Sequence, residues 1–74
     1  MHAFEEMKIL TQKVRQIVDN ATNDGVELND GNVVDLIVDQ LTDDELFHNV
    51  SPGSVRFAIS QAGFAKRFPK AIRK

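Results

Sequence analysis

Seventy-four residues, nine lysines and arginines against eleven aspartates and glutamates, and a net charge of −2 describe one small domain of ordinary apolar and charged content. The absence of cysteine excludes disulfides, thiolate nucleophiles and cysteine-ligated zinc. No apolar run approaches the ~20 residues of a bilayer span, and Glu5 and Glu6 close behind Met1 are unlike a signal peptide, so a soluble, cytoplasmic protein without membrane association is expected.

The small net charge conceals a division along the chain. All eleven carboxylates lie before residue 46, accompanied only by Lys8, Lys13 and Arg15, a local balance of three minus eleven, or −8. From Leu46 onward there is no acid, and Arg56, Lys66, Arg67, Lys70, Arg73 and Lys74 give +6. Such a basic end takes an anionic partner or lies against the acidic half.

In chain order, Phe4, Met7, Leu10, Val14, Ile17 and Ala21 recur at steps of three and four, which predicts a helix from about Ala3 to Thr22. The stripe is regular enough for one strand of a coiled coil, with Glu5, Lys8, Gln12, Lys13 and Arg15 flanking it. A homodimer through this helix therefore stands beside the intramolecular use of the same seam. Asn23-Asp24-Gly25 stops the helix, and Val26 and Leu28 are expected to reach the core from a loop. After the turn signal Asn29-Asp30-Gly31, the stripe Val33, Leu36, Ile37 and Leu41 predicts a helix over roughly Asn32 to Leu41.

Thr42-Asp43-Asp44-Glu45 has the form of a capping box and predicts a short third helix through about Asn49. Ser51-Pro52 repeats the start signal, serine as cap and proline in the first turn. Val55, Ala58, Ile59 and Ala62 mark the buried face of the fourth helix, which Gly63 or Pro69 ends by Phe68. The expected architecture is all-α: a compact bundle of about four helices, two of them short, over residues 1–68, followed by a basic tail at 69–74.

Residues 42–64, a capped short helix, a tight turn and a helix beginning at Ser54, resemble a helix-turn-helix DNA reader. That resemblance implies Ser54, Arg56, Ser60 and Gln61 at phosphates and base edges. It departs from the pattern at Asp44 and Glu45, where apolar and small residues are usual, and it assigns no family. Phe57, Phe64 and Phe68 fall among Arg56, Lys66, Arg67 and Lys70, and interleaved rings and cations suit phosphate attraction with base stacking. The competing reading places Phe57, Gln61, Phe64 and Phe68 at helical spacing, as core or as an exposed apolar patch that meets a partner.

Other chemistries fall away on inspection. Asn20, Thr22, Asp24 and Gly25 imitate the start of a calcium loop, but Gly31 stands where its bidentate glutamate is required. Asp44, Glu45 and His48 are too few to hold a metal, with His2 the only other histidine. The length and acidity are those of an acyl carrier protein, yet Ser51, Ser54 and Ser60 follow Val50, Gly53 and Ile59, never the aspartate that precedes its attachment serine. His48, Ser51 and Asp44 lack an oxyanion hole and a cleft for catalysis.

These readings converge on a non-enzymatic regulatory module with no cofactor and no metal. It is expected to engage nucleic acid, or a nucleic-acid-bound protein of transcription or replication, through Ser54, Arg56, Ser60, Gln61, Lys66, Arg67, Lys70, Arg73 and Lys74. The alternative is an adaptor or small inhibitor that docks Phe57, Phe64 and Phe68 onto a partner protein.

Overall fold

A computed structural model describes residues 3–72 of the chain, with side chains from Glu5 onward. Helix α1 spans Ala3–Asn23 and buries Leu10, Val14, Val18 and Ala21, with Met7 and Ile17 half-buried beside them. The steps of four, four and three keep these residues on one side, and Val18 rather than Ile17 is the deeper of the pair. The seam that would suit a coiled coil is thus buried within one chain, while the side chain of Phe4 lies outside the described residues.

Two glycines end helices by one mechanism. After α1, Gly25 adopts φ 79° and its N–H bonds the Thr22 carbonyl at 3.1 Å, while the Val26 N–H reaches Ala21 at 2.9 Å. After α3, which spans Pro52–Gln61, Gly63 adopts φ 91°, with Gly63 bonded to Ser60 and Phe64 to Ile59, each at 3.1 Å. Both are Schellman closures, which need the left-handed backbone that glycine tolerates.

Between them, Asn29 and Asn32 clamp the loop before helix α2, Val33–Gln40: the Asn29 side chain accepts from Gly31 and Asn32, and Asn32 accepts in turn from the Asn29 N–H. Val33 and Ile37 of α2 enter the core, and Leu41 follows them from a single 3-10 turn, Leu41–Asp43. At α3 the Ser51 hydroxyl accepts from the Ser54 N–H at 3.1 Å with Pro52 in the first turn, and Val55, Ala58, Ile59 and Ala62 are all buried. The core lies where the inner faces of the three helices meet.

The predicted third helix does not form. The Thr42 hydroxyl donates back to the Val38 carbonyl at 3.3 Å instead of capping forward. The capping role moves to Asp44, whose Oδ1 accepts from Leu46 at 2.8 Å and Phe47 at 3.1 Å. Only turns follow, because Ser51 is held extended ahead of Pro52 (φ −81°, ψ 152°), and the few residues left between caps cannot sustain a helical nucleus. Phe47 nevertheless buries its ring, and Lys13 anchors the turn to α1 through Asp44 at 2.8 Å. The described residues therefore hold three helices and no strand, not four helices, and the helix-turn-helix resemblance lacks its first helix.

The chain beyond Gly63 is a run of turns closed by Phe68 N–H to Phe64 at 2.9 Å and Ala71 N–H to Phe68 at 3.1 Å. Phe68 and Ala71 are buried and Ile72 packs against the core. Within the stretch read as a basic tail, Ala71 and Ile72 thus pack on the core while Pro69 and Lys70 are exposed, and Arg73 and Lys74 lie outside the described residues.

Candidate functional site

Helix α3 turns its apolar stripe inward and so leaves its aromatic residue outside. Residues on a helix advance by about 100°, and Phe57 falls off the arc occupied by Val55, Ala58, Ile59 and Ala62. Its ring is 51% exposed at the edge facing α1. There it lines a cleft of ≈ 450 Å³ with Met7, Lys8, Thr11, Gln12 and Arg15 of α1 and Gln61 of α3. A neighbouring cleft of ≈ 430 Å³ includes Met7, Leu46, Val50 and Ser54. Met7 belongs to both, and Ser54, Phe57 and Gln61 share one side of α3, so the two clefts adjoin at Met7 along the α1–α3 edge, the first of them forming the groove beside Phe57. On the other side of Phe57 a depression of ≈ 280 Å³ is lined by Gly53, Arg56, Ser60 and Ile72, which makes the ring a ridge.

Polar groups around the groove are held by internal bonds. The Thr11 hydroxyl donates to the Met7 carbonyl at 2.8 Å. Arg15 Nη2 donates to the Ala62 carbonyl at 3.1 Å, one of the carbonyls that a helix leaves free at its negative end. Leu46, 52% exposed, extends the apolar surface from the turn that Asp44 caps. Lys13 and the Leu46 and Phe47 N–H groups hold the Asp44 carboxyl below the usual carboxylate range.

Among the described residues, the predicted nucleic-acid residues divide among separate surfaces, with Arg56 beside both Ser60 and Lys70. Ser54 is occupied by the α3 cap, where Ser51 Oγ donates to its hydroxyl at 3.1 Å. Arg56 and Lys70 border a ≈ 300 Å³ depression that Asp30 and Asp35 also line, and Asp30 Oδ1 is buried there without a partner among the described residues. Ser60 is half-buried, Gln61 lies in the groove and Lys66 is exposed. Arg67 reaches back to the Thr22 hydroxyl at 3.1 Å and lies 4.9 Å from the centre of the Phe68 ring. Among the described residues the one salt bridge is Lys13–Asp44, so both its partners come from the acidic half.

The aromatic trio also separates. Phe68 is 1% exposed and Phe64 is half-buried against it, ring centres 6.1 Å apart and edge to face. Of the three only Phe57 faces outward, so they do not form the shared exposed face that docking through all three would require, and Phe68 takes the core position of the competing reading. The reason is Gly63: it ends α3 at Gln61, and the helical spacing that would align the three rings stops there. Met7, Lys8 and Arg15 were not legible from the sequence as neighbours of Phe57. Met7, at the margin of the α1 stripe with Lys8 beside it, was the available signal.

No family model, curated protein or solved structure matches this chain. Among the described residues, no helix is long and apolar enough to cross a membrane and no three His, Cys, Asp or Glu side chains gather as metal ligands.

Proposed function

We propose that this chain is a small protein-interaction module, an adaptor or inhibitor that docks on a partner protein through the Phe57 ridge and the groove beside it. The observation that carries this reading is the half-exposed Phe57, which shares a cleft with Met7 on a helix whose core requirement is already met, while Met7 also lines the adjoining cleft of the exposed Leu46. Burying a ring that starts half exposed releases its hydration, and aromatic anchors of this kind dominate interface energetics. Contact with nucleic acid through the basic third is the weaker reading. Arg67 is engaged with Thr22 and Phe68, and Arg56 and Lys70 share their depression with two aspartates that repel phosphate.

Affinity capture from cell extract, with the wild type and Phe57→Ala as parallel baits, tests the proposal. A protein retained by the wild type and lost with Phe57→Ala, at equal melting temperature, is the expected result. Salt-sensitive binding of mixed-sequence DNA that survives Phe57→Ala and disappears on replacing Arg56 and Lys70 would overturn it.

A further inference from the structure

The charge around the groove narrows the kind of partner. In a chain with eleven carboxylates, the Phe57 cleft is lined by Lys8 and Arg15 and, among the described residues, by no acid at all. Arg15 is already oriented, because one of its N–H groups is spent on the Ala62 carbonyl, and the rest of its donor fork is available beside the cleft. A pre-oriented guanidinium loses less freedom when it meets a carboxylate. Glu6, by contrast, lines the neighbouring cleft at the Leu46 end. From Met7 to Arg15 the α1 wall is about 12 Å long, the rise of two helical turns, which suits a short helix laid along the edge.

Resting on the docking reading above, we propose that the groove receives an amphipathic helix of a partner protein. Its apolar side chains settle between Met7 and Phe57, and its acidic residues meet Lys8 and Arg15. Apolar burial supplies the attraction, and the two cations choose the charge and direction of the incoming helix.

The test uses three synthetic helical peptides of about 14 residues with one shared leucine face, whose flanking positions are glutamate, glutamine or lysine. Each is titrated into the full chain and followed by fluorescence anisotropy and by amide chemical shifts. At low salt the glutamate peptide should bind about tenfold more tightly than the lysine peptide, since each rim ion pair contributes modestly and is screened. Its shifts should centre on Met7, Lys8, Thr11, Phe57 and Gln61, and Lys8→Glu should erase or invert the preference. Equal binding of all three peptides, lost on Phe57→Ala, would overturn the charge assignment and leave the docking reading standing. Binding that Phe57→Ala does not change, or none at all, would overturn both. Concentration-dependent shifts at the same amides without peptide would assign the groove to a second copy of the chain and overturn the proposal.

Discussion

Helix α3 and the turns that follow it both set phenylalanine beside arginine, Phe57 next to Arg56 and Phe68 next to Arg67, and use the pair in opposite ways. In α3 small and branched apolar residues fill the core, and Phe57 is left as a ridge outside. After Gly63 no helical face exists, the core is closed by Phe68 and Ala71, and Arg67 covers the buried ring from outside. The interleaving of rings and cations therefore specifies neither a stacking surface nor a core. What decides is whether the local backbone has another apolar face to bury.

Alanine at each ring gives the largest contrast. Phe68→Ala should cost about 3–5 kcal/mol, much of the roughly 4–11 kcal/mol available to a domain of this size, and leave a chain largely unfolded at 37 °C by circular dichroism. Phe57→Ala should cost less than about 1 kcal/mol and keep its helicity. Equal losses would erase the distinction between the two regions.

The hinge between the regions can be altered next. At Gly63 an added Cβ meets no atom within 4 Å, so Gly63→Ala is resisted only by its φ of 91°, and chemical denaturation should register about 1–2 kcal/mol of destabilisation. Gly53 lies inside α3 with ordinary φ, and a methyl added there would sit 3.9 Å from Ser51 Oγ, a normal contact. Gly53→Ala should therefore gain about 0.4–1 kcal/mol. No loss at Gly63→Ala would refute the glycine-dependent end of α3, and a loss at Gly53→Ala would refute the ordinary backbone assigned to its first turn.

Arg67 is a smaller lever. Arg67→Ala removes the Thr22 bond and the contact with the Phe68 ring, and a melting curve should show a loss of about 1 kcal/mol. Lys66→Ala, at an exposed neighbour, should show almost none.

The Asp44 turn, which carries Leu46 to the adjoining cleft, supplies a pH dependence. Its folded carboxyl titrates below the unfolded one, so the stabilisation is complete above the ordinary carboxylate range and is lost as pH falls through the lower folded value. The wild type should exceed Asp44→Asn in melting temperature at neutral pH, and the two should converge as pH falls through the lowered range of the folded carboxyl. A difference that persists in acid would assign the effect to something other than the Lys13 pair.

Much of this architecture is legible in the residues. The α1 stripe, the stop at Gly25 and the Ser51-Pro52 start rest on local backbone chemistry that packing does not alter. Thr42–Glu45 shows where local chemistry misleads: the same kind of signal that starts α3 is outweighed there by the short distance to the next cap and by the extended backbone ahead of Pro52. Phe57 was discernible as the ring left over by Val55, Ala58, Ile59 and Ala62. Its alignment with Phe64 and Phe68 was not, because it hinged on whether Gly63 ends the helix. The groove itself depends on how α1 lies beside α3, and Met7 and Arg15 are remote from Phe57 in sequence, so no local pattern joins them.

The most direct test of the docking surface is a paired measurement on one set of samples: melting temperature and titration with the glutamate-flanked peptide, for the wild type and Phe57→Ala. Nearly unchanged melting and abolished binding are expected in the variant. A melting temperature that collapses with the binding would show that Phe57 belongs to the core and contradict the assignment of this face to a partner.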